Sequence, residues 1–425
     1  MIEEIQKRPF VRLLLFGIPG ILLAMYIPFH PLIGGVLFLP FAVISLSLFL
    51  SIKHKLTFSY NYRWTGGVVM ALVVMSLAAM ATFNKDIQQD KPQRLPVIEE
   101  KAVMLREGFV TSIDHLELSD AEKSFLATIL LGHREALSRD VRNKFAATGI
   151  SHILAVSGFH VAIVCGFIHL FLAWLPKRGK GKWIKYLLTM FLLWSFVVIT
   201  GMAASAMRAG IMLSFYLTGR VLRRESDPYN TLAAAAFCML IYNPYYLFDI
   251  GFQLSFTAVF FIVYLRPYFE QIAQVRNPVV ATPWQWLTVC LSAQIGTTFL
   301  SLYYFRRFSF VFVLANLPVM LFSTLLIPLG LFWLLLPSFV PGYGWVQAAV
   351  EWLTHQTIRF VDLLYRLPGI STYVDFDLFS LVTGYLALFS GMAYLFKRRP
   401  WLLILTLSLF VILSGGRLLL KTGVM

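Results

Sequence analysis

Charged residues are scarce in this sequence: they make up 13 % of 425 residues, beside 58 % hydrophobic residues and a mean hydropathy of +0.73. An average soluble domain carries about 25 % charged residues, so a water-soluble globular fold is excluded and lipid is the solvent for most of the chain. Acid is scarcer than base. Asp and Glu number 21 against 36 Lys and Arg, a formal net charge of +15. Apolar spans have no room for that excess, so Lys and Arg must crowd into connecting segments that face anionic lipid or a polyanion. Cysteine is nearly absent. Cys165, Cys238 and Cys290 each stand in an apolar run, without paired spacing or a neighbouring His or Cys at ligand intervals, which excludes a disulfide framework and a zinc site and leaves small core hydrophobes. A phosphate-cradling loop is missing too, because Gly179-Lys180-Gly181-Lys182-Trp183 lacks the G-x-x-x-x-G-K-[ST] spacing. No small-residue cleavage site follows the mixed charges of Met1 to Arg12, and the apolar run continues through Ile18, Pro19 and Gly20 as an anchoring span does. Nothing in the pattern asks for a cofactor or metal.

What is abundant is apolar sequence in stretches of about 17 to 25 residues, the length at which a helix crosses a bilayer. Such stretches run 10–29, 32–50, 65–83, 151–175, 183–201, 205–222, 230–248, 250–265, 284–305, 378–396 and 401–420, the first two joined by a turn at His30 and Pro31. The expected fold is all-α, a polytopic membrane bundle of about eleven transmembrane helices. Basic residues close to span ends are retained on the cytoplasmic side. Lys53, Lys55 and Arg63 mark one such loop, Lys177, Arg178, Lys180, Lys182 and Lys185 a second, and Arg220, Arg223 and Arg224 a third. Alternating crossings put all three on one side, with the N-terminus inside and 84–150 outside.

Five regions follow: N-terminal transmembrane helices over 1–83, an extracytoplasmic linker and amphipathic helix over 84–150, a channel-type bundle over 151–336, an interfacial amphipathic segment over 337–377, and C-terminal transmembrane helices over 378–425. Within the outer region, 86–100 reads as a linker rich in Gln, Pro and Asp. Apolar spacing over 119–145, opened by Ser119 and Glu122 in a capping-box pattern, predicts an amphipathic helix, either resting on the outer surface of the bundle or packed into it as an ordinary amphipathic helix, the reading preferred. The stretch 309–336 is too long for one straight span and is interrupted by Asn316, Pro318, Pro328 and Gly330. Parity requires an even number of crossings before the basic Lys397, Arg398 and Arg399. A re-entrant pair of half-helices is expected there, in preference to one crossing over 309–336 followed by a second over 345–365, whose Glu351, His355, Arg359, Asp362 and Arg366 make it amphipathic.

His152-Ile-Leu-Ala-Val-Ser157-Gly158-Phe-His160-Val161 resembles the H-x-L-A-[IV]-S-G-[LF]-H-[VI] signature of the ComEC/Rec2 family of competence proteins. Further similar runs follow in the family's order: Gly201 to Arg208, Asn243-Pro244, Gly251-Phe-Gln253-Leu-Ser255, Gln294, Phe305 and Ala315-Asn316-Leu-Pro318. The resemblance implies a channel in the bacterial inner membrane that imports single-stranded DNA during natural transformation. It also implies membrane lipids, an extracytoplasmic DNA receptor and a separate cytoplasmic ATP-driven motor as partners. Family members usually carry an OB-like domain, for which the outer linker here is too short, and many carry a metallo-β-lactamase-like nuclease domain. No H-x-H-x-D-H cluster occurs in these 425 residues, so nuclease activity is not implied for them.

Ionisable groups in a bilayer cost about 2.5–3.5 kcal/mol each at a helix centre and call for a reason. In the expected topology Ser157, Gly158, His160, Arg208, Asp249 and Gln253 lie in the outer half, Gln294 near mid-depth and Asn316 in the re-entrant pair. All eight are candidates for a DNA path. Arg208 and Asp249 read as a structural ion pair, or Arg208 as a fork for phosphate oxygens. Ser157, Gly158 and His160 read as a close helix contact with a back-bonded hydroxyl, or as a helix break that exposes backbone donors. Two other classes stay open: a membrane-embedded hydrolase using Ser157 and His160, and a small-molecule or lipid carrier on the same bundle. Aromatic residues, at 16 %, suit base stacking but also ordinary lipid contact.

Overall fold

The computed structural model describes residues 8–26, 63–89, 97–176, 178–223, 227–272 and 277–421, which hold fifteen α-helices and a two-stranded ribbon. The expected span 32–50, the turn at His30 and Pro31, and Lys53, Lys55, Lys177 and Arg224 lie outside them. Helix α1 (Pro9–Tyr26) opens on a proline at its first position, where no amide partner is lost. It packs on α2 (Arg63–Gln89) through Gly20, whose missing Cβ leaves room for the backbone carbonyl of Met75.

Helix α3 (Val97–Asp114) leads to α4 (Asp120–Leu131), which opens with the expected capping box: Ser119 N–H donates to Glu122 Oε2 at 2.9 Å and Glu122 N–H to Ser119 Oγ at 3.4 Å. The single helix expected over 119–145 is two. Gly132 ends α4 at φ 72°, a left-handed stop, and Ser138 starts α5 (Arg139–Ala147) by accepting from Val141 N–H at 3.2 Å. Nor does α4 rest on a surface. Phe125, Leu126, Ile129, Leu130 and Leu131 are all inaccessible. On the side opposite Leu126, Ser124 and Thr128 are buried as well and return their hydroxyls to Ala121 O and Ser124 O, so beyond its first turn the helix gives no face to water.

A 3₁₀ turn (Ser151–Leu154) precedes α6 (Gly158–Phe171), α7 (Lys180–Ile199), α8 (Ala204–Val221) and α9 (Pro228–Tyr242). A second 3₁₀ turn (Pro244–Phe248) leads into α10 (Ile250–Ile272) and α11 (Pro278–Phe305). After strand β1 (Arg307–Ser309) come α12 (Phe312–Leu335), α13 (Tyr343–Tyr365), strand β2 (Ser371–Tyr373), α14 (Leu378–Lys397) and α15 (Pro400–Lys421). Five helices, α1, α7, α10, α12 and α14, are long and apolar enough to cross a membrane, and shorter apolar stretches lie in α2, α6, α9 and α15. Among the described residues these five helices and four shorter apolar ones do not confirm the expected figure of about eleven crossings. The spans expected over 151–175 and 230–248 are broken by the two 3₁₀ turns, leaving helices of 14 and 15 residues. Only 17–39 % of each long apolar window is buried inside the protein. The remainder, including Leu187, Phe191 and Leu386, faces outward and is covered by lipid; the chain is a membrane protein.

The re-entrant pair expected over 309–336 is not formed. Helix α12 runs unbroken through Pro318 and Pro328. Prolines are tolerated at membrane depth where the surrounding bundle accommodates the freed carbonyls; Asn316 Nδ2 donates to Phe312 O at 2.7 Å and Thr324 Oγ1 to Met320 O at 2.7 Å as back-bonds within the same helix. Gly330 lets α12 approach α4 closely, since a Cβ there would lie 2.6 Å from Leu130 Cδ1. The parity expectation survives in another form: β1 and β2 pair antiparallel, Arg307 with Tyr373 through Ser309 with Ser371, so α12 and α13 form a hairpin that returns to its starting end.

Buried side chains form three clusters: a large one over α3 to α8, α12 and α13, a second joining α1, α2, α9 and the start of α10, and a third between α10, α11 and α14. Helix α8 is a seam. Its Ala206 and Ala209 belong to the first cluster while Ile211 packs on the second. Of the cysteines, all free, Cys165 is a core residue as expected, Cys290 is half-buried, and Cys238 faces outward.

Candidate functional site

The chain leaves the first 3₁₀ turn extended and enters α6 with Ser157 as its cap (φ −98°, ψ 171°). Ser157 N–H donates to His160 Nδ1 at 3.2 Å, and Ser157 Oγ lies 2.7 Å from the same nitrogen. A ring nitrogen that accepts an amide N–H carries no proton, which assigns the neutral Nε2–H form of the imidazole and makes the Ser157 hydroxyl the donor. This is a capping box with an imidazole in the carboxylate's place. His160 is inaccessible, and its Nε2 has no hydrogen-bond partner among the described residues. The short Ser157–His160 contact is that of a nucleophile and base, yet it closes a helix end, and no carboxylate orients the ring from Nε2.

This corner lies against α8. Ser205 Oγ donates to Val156 O, and a Cβ on Gly158 would meet Ala209 Cβ at 3.7 Å. The next side chain along, Arg208, is 6 % exposed. Its ion pair, Nη1 to Asp249 Oδ1, is long at 3.4 Å, and that oxygen is already engaged at 2.6 Å by the amide of Phe252; Arg208 Nε has no acceptor among the described residues. Five donors on a buried cation are therefore served by one stretched contact. Gly251 makes the seat possible, because a Cβ there would lie 2.8 Å from Arg208 Nη2 and 3.2 Å from Asp249 Oδ1. Beside it Gln253 Nε2 donates to Leu247 O at 2.9 Å and Gln253 Oε1 accepts from Tyr304 O–H at 2.8 Å, which ties α10 to α11.

Six of the eight sequence candidates thus gather where α6, α8 and α10 begin. Gln294 does not join them: it donates to Thr298 in its own helix and stands ten residues, about 15 Å, along α11 from Tyr304. Asn316 is buried on α12 with its amide bound to Phe312 O. Hydropathy gave no signal for Arg134, between α4 and α5. This exposed side chain acts electrostatically on Arg208, and its own pKa is lowered by burial of its surroundings and by Arg142, whose Nη2 donates to Arg134 O at 2.7 Å.

The opposite end of the bundle is basic. Lys182 Nζ reaches Val221 O at 3.1 Å and Lys185 Nζ reaches His169 O at 3.3 Å, which brings the end of α6, the start of α7 and the end of α8 together. Arg8 pairs with Asp227 at 2.7 Å at the start of α9.

Residues 129–398 match the family of competence proteins. The chain is 26 % identical over 270 residues to ComE operon protein 3 of Bacillus subtilis, covering 62 % of this chain and 33 % of that one. To Recombination protein 2 of Haemophilus influenzae it is 23 % identical over 220 residues, 49 % of this chain and 28 % of the other. An uncharacterized Mycoplasma pneumoniae protein, the MG316 homolog, is 25 % identical over 202 residues, 48 % and 49 % of the two chains. This chain spans about a third of the length of the first two relatives. No solved structure matches it. The family match takes in more than half of the 425 residues, including the Ser157–His160 corner, Arg208 and Gln253, and the chain belongs to the competence-protein family.

Proposed function

We propose that this chain forms a conduit in the bacterial inner membrane through which a single strand of DNA enters the cytoplasm during natural transformation. The observation that carries this reading is the state of Arg208: a buried guanidinium with one stretched ion pair and an unserved Nε, at the meeting of α6, α8 and α10. A phosphate oxygen suits those donors better than Asp249 does, and a path for DNA must replace the counterions that the strand sheds. Arg134 extends the positive field beyond it. Family membership and the similarity to ComE operon protein 3 support a role in DNA uptake. With the basic end of the bundle inside, the Arg208 end faces the incoming strand. Moving each phosphate charge into a negative interior costs about 2.3 kcal/mol per 100 mV, so a separate cytoplasmic ATP-driven motor pulls and an extracytoplasmic receptor delivers.

The test is transformation frequency at matched membrane abundance. Arg208→Ala is expected to abolish uptake and Arg208→Lys to restore part of it, since an ammonium offers a point charge without the fork. Gly251→Val, which keeps the guanidinium but fills its seat, is expected to reduce uptake as well. Normal transformation by Arg208→Ala at normal abundance would overturn the phosphate contact.

A further inference from the structure

Outside the Arg208 site, a cleft of about 750 Å³ lies between α13, the start of α4 and one side of α5, with Phe322 of α12 in its lining. That volume falls in the range of about 300–1,000 Å³ typical of ligand sites. Helix α13 meets it with three distinct faces. Val350, Leu353, Thr357, Val361 and Leu364 are buried against the bundle, while Trp345, Trp352 and Leu363 are exposed. Between these faces, at intervals of three and four residues, run Glu351, His355, Arg359, Asp362 and Arg366.

The acids along this stripe are already engaged. Glu122 Oε1 lies 2.7 Å from His355 Nδ1, and its other oxygen takes Ser119 N–H. Burial opposes its charge, but the Ser119 and His355 contacts outweigh that and hold the Glu122 carboxyl below its usual range. Asp362 and Asp140 share Lys144 at 2.9 and 2.8 Å, which raises the pKa of that ammonium. Glu351 accepts from Gln347 and from the amide of Glu117. Arg359 and Arg366 are left. Both line the cleft, and neither has an ion-pair partner among the described residues.

We propose that this cleft seats the phosphate of an anionic phospholipid between Arg359 and Arg366, with the acyl chains lying along the outward strip of Trp352 and Leu363. Two forked cations without a counter-anion match a phosphodiester in charge and geometry. They border an exposed apolar strip that lipid tails cover and a DNA strand would not, and basic pockets between membrane helices are recognised sites for anionic headgroups.

The experiment is native mass spectrometry of the full chain from micelles holding equal amounts of phosphatidylglycerol and phosphatidylcholine. Parallel thermal unfolding is run with each lipid, inorganic phosphate or oligothymidylate. The unaltered chain is expected to retain phosphatidylglycerol selectively and to be stabilised by it. Arg359→Gln with Arg366→Gln should weaken that preference by more than about tenfold, and Lys at both positions should keep part of it. Equal retention of the two lipids by the unaltered chain would overturn the proposal whether or not the variants fold. So would an unchanged preference in the Gln variant, stabilisation by inorganic phosphate equal to that by the lipid, or displacement of the lipid by oligothymidylate, which would give the cleft to the strand. Lipid preference is read without DNA uptake, so its failure leaves the Arg208 reading standing.

Discussion

Arg208 and Glu122 are both charges enclosed by the bundle, and they are satisfied in opposite ways. Glu122 spends its oxygens on the Ser119 amide and hydroxyl and on His355, all at 2.7–2.9 Å, whereas Arg208 has one contact at 3.4 Å. The first pattern is that of a structural group, and the second leaves guanidinium donors open, as the proposed phosphate contact requires. The depressed carboxyl also has a pH signature. Glu122 ionises more readily folded than unfolded, so its stabilising effect is present above the unfolded value near 4.5 and is lost as pH falls through the lower folded value. Thermal unfolding in detergent should therefore show a midpoint that drops in acid below about pH 4.5. Glu122→Gln, which keeps the capping-box hydrogen bond to Ser119, should flatten that limb while lowering the midpoint at neutral pH. An unaltered acid limb in the variant would assign the loss to another carboxylate.

At the scale of elements, α12 decides how the second half of the chain is read. Asn316, Pro318, Pro328 and Gly330 form a pattern of helix breakers, and a sequence cannot show that the helix continues through both prolines or that Gly330 is a contact with Leu130. Single cysteines introduced in a background without Cys165, Cys238 and Cys290 would test the unbroken helix. Asn316→Cys and Ser323→Cys are 3 % and 1 % exposed positions, so both should resist a small water-soluble thiol reagent that labels outer loops. Rapid labelling at Ser323 would mean that water reaches the middle of α12 and would restore a break there.

For the molecule as a whole, orientation rests on charge. Lys182, Lys185, Arg220 and Arg8 lie at one end, and Ser157, Arg208, Asp249 and Gln253 at the other. A reporter fused after Arg178 should register cytoplasm and one after Glu100 the outside; the reverse pattern would turn the Arg208 end inward and remove it from the strand's point of entry. Much of this organisation is readable along the chain, because hydropathy, cap residues and loop charge are local properties. They located the apolar helices, the Ser119 and Glu122 cap, the basic loops and the motif holding Ser157, His160 and Arg208. Enclosure is not local. Whether α4 is covered, whether a proline-containing run stays one helix, and which arginines lack a carboxylate depend on neighbours more than a hundred residues away, such as Glu122 beside His355 and Leu130 beside Gly330. Packing alone settled those points, because burying a charge or closing a gap is an energy shared between segments that no single stretch of sequence contains.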